Sequence, residues 1–82
     1  MRVSIQANFY DDAGYYVRPG WIEWDRLSRK FFYDTEWGEV PLWVEQDSDL
    51  ATTWFAHDPT ACARIAIPTA RLPRECFPLD LL

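Results

Sequence analysis

The sequence predicts a mainly β protein, a compact antiparallel sheet or small barrel of five to seven short strands. Three observations support this fold class. The first residues alternate between apolar and polar side chains, as in a strand with one face in water. Aromatic residues, which strands favour, make up 17% of the chain. Clusters of Gly, Pro and Asp also interrupt the chain at short intervals, as turns between strands require.

Residues 2–10 show the clearest strand pattern. Their apolar side chains all fall on one face, namely Val3, Ile5, Ala7 and Phe9. Residues 11–14 have the composition of a turn. Residues 15–18 are predicted to return as a second strand, which Pro19 and Gly20 then break.

Residues 21–34 fit two structures. In a hairpin, Asp25 opens a type I turn and Arg29 takes the left-handed position where Gly is preferred. In a helix, four apolar residues share one stripe: Trp21, Trp24, Leu27 and Phe31. Aromatic density and the absence of a capping residue before Trp21 favour the hairpin. The alternative is an α+β fold with a helix at 21–33.

The middle of the chain predicts another pair of strands. Residues 35–38 form a turn by composition, and Pro41 marks the start of a strand or an edge. Residues 42–46 and 51–56 then form a hairpin, joined through 47–49. This arrangement extends the antiparallel sheet.

Alternation continues over residues 61–67, which predicts a further strand. The competing interpretation is a short helix that begins at Asp58-Pro59. Three prolines follow from Pro68 onward, so the C-terminal tail is expected to be irregular and extended. Four apolar residues are expected to pin it to the sheet: Leu72, Phe77, Leu79 and Leu81.

A chain of 82 residues is expected to form a single domain over 1–82. Its aromatic residues can build a core without disulfides. Cys62 and Cys76 do not make a disulfide framework, and residues 1–6 lack the apolar stretch of a signal peptide. No apolar run is long enough to span a membrane. We therefore expect a cytoplasmic protein with reduced thiols.

Residues that carry chemistry are sparse. The metal-ligating types near the C-terminal half are His57, Asp58, Cys62 and Cys76, without the close ligand pairs of a structural zinc site. A catalytic triad would have to use His57, the only histidine. Glu36 and Glu39 beside Trp37 resemble a glycosidase pair, but so small a body has little room for a cleft. We expect no metal, no cofactor and no enzyme activity.

The charge distribution is the most informative feature for function. Between Phe31 and Ala63 the chain carries seven carboxylates and no Lys or Arg, whereas each flank has a net charge of +1. The net charge of −5 disfavours direct binding to nucleic acid or to an anionic membrane. Basic side chains at 26–30 precede aromatic ones at 31–33, yet Asp25 and Asp34 flank them.

This acidic segment has two interpretations. It can be a solvated face that keeps an aromatic-rich protein in solution. Alternatively, tryptophans among the carboxylates can anchor an interface whose charges steer a basic partner, or imitate a row of phosphates. The predicted partner-binding residues are Asp34, Glu36, Trp37, Glu39, Trp43, Glu45, Asp47 and Asp49.

The leading hypothesis is a small acidic inhibitor that occludes a basic, nucleic-acid-handling surface of a larger protein or ribonucleoprotein. In size, charge and lack of catalytic motifs the chain resembles the compact inhibitors that phages encode, among them anti-CRISPR proteins and DNA mimics. A second copy of the chain is another candidate partner, since a strand edge or aromatic patch could pair two copies. The alternatives are a non-inhibitory β-barrel accessory subunit or ligand-binding module, and, more remotely, a small cysteine or carboxylate enzyme.

Overall fold

The computed structural model describes residues 1–58, 60 and 63–82. It is mainly β, and six antiparallel strands close into a barrel in chain order, with the last strand beside the first. The strands are β1 (Arg2–Tyr10), β2 (Tyr16–Asp25), β3 (Lys30–Thr35), β4 (Gly38–Val44), β5 (Thr52–Ala56) and β6 (Arg64–Pro68). The predicted fold class is confirmed. The alternative helix at 21–33 is wrong, because that segment belongs to β2 and β3.

The barrel interior follows from the alternation in β1. Ile5 pairs with Ile22 across β1 and β2, and both side chains are buried. The largest interior contacts are aromatic: the ring centroids of Trp24 and Phe31 are 4.7 Å apart, and those of Phe31 and Phe55 are 4.8 Å apart. Offset and edge-on rings at these distances are favourable beyond their burial. Aromatic packing therefore fills the interior of this small barrel.

The predicted β2–β3 turn is confirmed in detail. The Asp25 carbonyl accepts a 2.8 Å hydrogen bond from the Arg29 amide, and Arg29 has a φ of +57°. The Asp25 carboxylate accepts hydrogen bonds from the Leu27 amide and the Ser28 hydroxyl. These bonds offset the cost of a left-handed arginine.

The prediction that Pro19 and Gly20 break the chain is wrong, because β2 runs straight through both. β2 pairs with β1 along its whole length but with β3 only at 23–25, so a missing donor at Pro19 is tolerated. A Cβ at Gly20 would lie 2.4 Å from the Phe9 ring. Gly20 therefore lets that ring pack directly over the β2 backbone.

The turns after β3 and after β4 lie where the sequence placed them, although β4 begins at Gly38 rather than at residue 42. Residues 35–38 turn the chain between β3 and β4. Pro41 lies inside β4 rather than at its start, within the part that pairs with β3 alone. After β4, the Asp49 carboxylate accepts hydrogen bonds from the Ala51 and Thr52 amides, which turns the chain into β5.

The predicted strand over 61–67 is present from Arg64 onward. Residues 61 and 62 lie outside the described residues, as does Pro59, where the competing helix would begin. Ile65 and Ile67 of β6 point into the core, whereas Arg64 is exposed. The apolar alternation therefore correctly predicted a strand, and this strand closes the barrel by pairing with β1.

The tail (residues 69–82) is irregular as predicted, with two single-turn 3₁₀ helices, Thr69–Arg71 and Arg74–Cys76. Leu72 and Cys76 enter the core and Leu79 packs against it. The expectation that Phe77 and Leu81 pin the tail is wrong, since they are 44% and 59% exposed. The Leu82 amide instead donates a 2.8 Å hydrogen bond to the Val44 carbonyl.

We call the end of the barrel covered by the tail the tail end, and the end with the β3–β4 turn the hairpin end. Arg26, in the β2–β3 turn, forms a 2.8 Å ion pair with Glu75 and so joins that turn to the tail. The helices of the described chain are too short to span a membrane.

Candidate functional site

The eight predicted partner-binding residues follow β3, β4 and the loop after β4, so they extend from one end of the barrel to the other. Asp34 and Glu39 are paired on adjacent strands at the hairpin end. Trp43 lies near the tail end, beside Val44 at the end of β4. The structure therefore divides the acidic segment into several local environments.

Arg2 neutralises Glu39. From β1 its side chain crosses the outer surface of β2 and β3, with its guanidinium 4.8 Å from the centre of the Phe32 ring. Nη2 donates a 3.0 Å hydrogen bond to Glu39, and Nη1 donates to both Glu39 and Glu23. Glu39, and to a lesser extent Glu23, raises the pKa of Arg2. Arg2 thus braces β1 against β4.

Arg64 forms a second brace from the opposite side. Its side chain reaches from β6 over β5 to Glu45, at 3.2 Å, and lies 3.7 Å from Asp47. Only 7% of Glu45 is exposed, and this burial raises the pKa of its carboxyl. Asp47 adds to the increase and Arg64 opposes it. Glu45 is therefore a structural carboxylate whose charge depends on Arg64.

Two more acids of the segment stabilise their own turns. Asp49 accepts the backbone hydrogen bonds that shape the β4–β5 loop. Asp58 accepts a 2.6 Å bond from the Thr60 hydroxyl and a 2.7 Å bond from the Thr60 amide, and these bonds lower the pKa of Asp58. Both side chains are acceptors within local turns, as short acidic residues commonly are.

The remaining acids of the predicted set lie at or next to the β3–β4 turn together with Trp37, and we define the hairpin tip as Asp34, Glu36 and Trp37. Trp37 is 88% exposed. Its amide donates to the Thr35 hydroxyl, which in turn donates to the Gly38 carbonyl. Gly38 has a φ of +125°, a conformation that a side chain would strain. These contacts fix the turn that presents the indole to solvent.

The carboxylates of the hairpin tip form no ion pair with any described residue. All the ion pairs found in the described chain are made by Arg2, Arg26 and Arg64, and none of these arginines reaches Asp34 or Glu36. Arg2 also neutralises Glu39, which pairs with Asp34 across the strands. The hairpin tip therefore keeps two uncommitted negative charges beside an exposed indole.

His57 and Cys76, which were considered for nucleophilic catalysis, lie at opposite ends of the barrel. His57 follows β5 and contacts Tyr33, with 6.5 Å between ring centroids, at the hairpin end. Cys76 lies in the core at the tail end, where burial and, secondarily, Glu75 raise the pKa of its thiol to about 11. Cys62 is outside the described residues. Across residues 1–58, 60 and 63–82, no three metal-ligating side chains cluster.

Two concave features were not predicted from the sequence. A cleft of about 380 Å³ lies where β2 separates from β3, and Phe9, Arg18, Trp21 and Tyr33 are among its lining residues. A cavity of about 320 Å³ lies at the tail end, bounded by β3, β4 and the tail. The cleft depends on strand register and the cavity on where the tail packs, and local sequence patterns specify neither.

The chain has no match among protein-family models, curated protein sequences or solved structures.

Proposed function

We propose that this protein binds a larger protein or ribonucleoprotein through the hairpin tip, and that the contacted surface of the partner is basic. One observation carries the proposal: Trp37 is 88% exposed on a turn fixed by its own hydrogen bonds. Tryptophan is the side chain most enriched among residues that dominate binding energy. Asp34 and Glu36 supply charges that attract a basic surface and accelerate encounter.

The proposed interface is narrower than the set predicted from sequence. Glu39, Glu45 and Asp47 already face the arginines of their own chain. Binding through these acids would require a partner to displace an existing ion pair, which returns little net energy. The hairpin tip needs no such exchange, so it is the favoured point of contact.

The proposal extends to inhibition. A partner surface that handles nucleic acid is basic, and a bound acidic protein would occlude it. Phage-encoded anti-CRISPR proteins and DNA mimics, which the chain resembles in size and charge, act in this way. The net charge of −5 supports this extension.

Affinity capture from a cell lysate, with mass spectrometry, tests the proposal. Tagged wild-type protein should enrich a basic partner, and Trp37→Ala should reduce the recovered amount by about tenfold or more. Leu50→Ala is the matched control, because Leu50 is 97% exposed but lies outside the hairpin tip. Equal recovery by wild type and Trp37→Ala would refute the proposed interface.

Salt dependence then separates an electrostatic inhibitor from an accessory subunit or ligand module. The affinity of wild type for the captured partner should fall steeply between about 50 and 500 mM salt, since exposed charges are screened. The double variant Asp34→Asn, Glu36→Gln should bind more weakly and respond less to salt. An affinity that is independent of salt would favour the accessory-subunit alternative.

A further inference from the structure

The cavity at the tail end has the size and lining of a small-molecule site. Its volume is about 320 Å³, and its floor contains the buried side chains of Phe31, Leu42 and Val44. Ligand cavities of this size are mostly apolar, with a few polar groups that orient the ligand. The remaining lining residues are Trp24, Arg29, Lys30, Pro41, Trp43, Cys76, Pro78 and Asp80.

Trp24 supplies an unmet hydrogen-bond donor. Only 2% of this side chain is exposed, and its Nε1–H is fully buried without an acceptor in the described part of the chain. Buried donors are nearly always satisfied, so an orphaned one requires an explanation. Since Nε1 has no accessible surface, a ligand in the cavity would contact the Trp24 ring rather than this donor.

The rim of the cavity is basic although the chain is acidic. Arg29 and Lys30 line it opposite a single carboxylate, that of Asp80. The Arg29 guanidinium lies 5.4 Å from the centre of the Trp24 ring. Neither basic residue takes part in the ion pairs of the described residues. An anionic group is therefore favoured beside Trp24.

We propose that this cavity binds a small amphipathic carboxylate, with its carboxylate at Arg29 and Lys30 and its apolar body on the cavity floor. At the packing density of protein interiors the volume suits a ligand of about a dozen non-hydrogen atoms. Trp43 and Pro41 form an apolar wall suited to an aromatic ring. This site is separate from the hairpin tip and does not rest on the function proposed there.

Three probes of similar size and different charge test the chemistry: 4-phenylbutyrate, 4-phenylbutanol and 4-phenylbutylamine. Titrations followed by ¹⁵N-resolved NMR should show the Trp24 Nε1–H signal shifting with the acid, as expected for a ligand that contacts the indole ring. The acid should bind at least about tenfold more tightly than the alcohol, and the amine most weakly. Equal binding of amine and acid, or an unmoved Trp24 signal at about 10 mM acid, would overturn the proposal.

Variants locate the site independently of the probes. The double variant Arg29→Gln, Lys30→Gln should weaken 4-phenylbutyrate binding by about tenfold or more. Arg71→Gln is the matched control, since Arg71 is an exposed arginine outside the cavity lining. Trp37→Ala should leave binding unchanged, which separates this test from that of the hairpin tip. Equal weakening by Arg71→Gln would show that only the overall charge matters and would overturn the site.

Discussion

The two ends of strand β3 use the same residue types in opposite ways. At the tail end, Trp24 is 2% exposed beneath the basic rim formed by Arg29 and Lys30. At the hairpin end, Trp37 is 88% exposed beside Asp34 and Glu36. This strand is only six residues long. The function of a tryptophan here is thus decided by what covers its end of the barrel.

The tail makes the difference between the two ends. It places Leu72 and Cys76 in the core, and the Arg26–Glu75 ion pair holds it against the β2–β3 turn. β2 pairs with β3 only at 23–25, next to the β2–β3 turn at the tail end, so no residue of β2 pairs with β3 at the hairpin end. One end therefore encloses a cavity, and the other presents a turn to solvent.

The largest effect is expected where β3 crosses the core. Phe31→Ala removes a buried ring that contacts Trp24 and Phe55, and we expect it to lower the free energy of unfolding by about 3–5 kcal/mol. Phe32→Ala is the matched control, because Phe32 is the next residue on the same strand, half-buried on the outer face. Chemical denaturation should show the smaller loss for Phe32→Ala. Equal losses would mean that the two faces of β3 do not differ as described.

The next largest effect on stability is expected from the ion pairs of Arg64 and Arg2, which should contribute by different amounts. Arg64→Gln leaves the Glu45 carboxylate buried without its cation, and we expect a loss of about 1–3 kcal/mol in the free energy of unfolding. Arg2→Gln breaks pairs among half-exposed groups and should cost about 1 kcal/mol or less. Denaturant midpoints for both variants test this order. A larger loss for Arg2→Gln would show that burial does not control the strength of the braces.

A smaller effect is expected in the pH dependence of stability, through the Glu45 carboxyl. The pKa of Glu45 is raised in the folded state, so its contribution to stability is present below its usual value of 4.5 and is lost as the pH rises through the folded pKa. The stability of wild type relative to Glu45→Gln should therefore increase as the pH falls from 7 toward 4.5. Thermal denaturation across this range measures the difference.

Asp25 provides a control of opposite sign. Hydrogen bonds, chiefly from the Ser28 hydroxyl, lower its pKa, so its contribution is present above its usual value of 3.8 and is lost as the pH falls through the folded pKa. The stability of wild type relative to Asp25→Asn should therefore decrease at pH below 3.8. If the stability differences for Glu45 and Asp25 changed with pH in the same direction, the assigned directions of the two pKa shifts would be contradicted.

Sequence patterns predicted the parts of this molecule that depend on neighbouring residues. The alternation in β1, the Asp25 turn and the Asp49 loop are set within a few positions, and each was found where it was expected. The hairpin tip is equally local. The prediction at Pro19 and Gly20 was wrong because the packing of Phe9 over Gly20 depends on a partner strand.

The arginine braces and the cavity could not be predicted in this way. Arg2 reaches a residue 37 positions away, and Arg64 crosses an entire strand to reach Glu45. Both pairs require the strand order and the register of a closed barrel. Seven acids in one stretch of sequence therefore looked like one surface, although the fold assigns three of them to its own arginines.

The smallest effect should be at the hairpin tip itself. Trp37→Ala removes an 88% exposed side chain whose turn is held by Thr35 and Gly38, so the free energy of unfolding should change by less than about 0.5 kcal/mol. Chemical denaturation followed by circular dichroism measures this without relying on tryptophan fluorescence. A loss above about 1 kcal/mol would mean that Trp37 packs on its own barrel. If the variant is as stable as wild type, Trp37 does not contribute to folding. Its full apolar surface is then available to be buried against a partner.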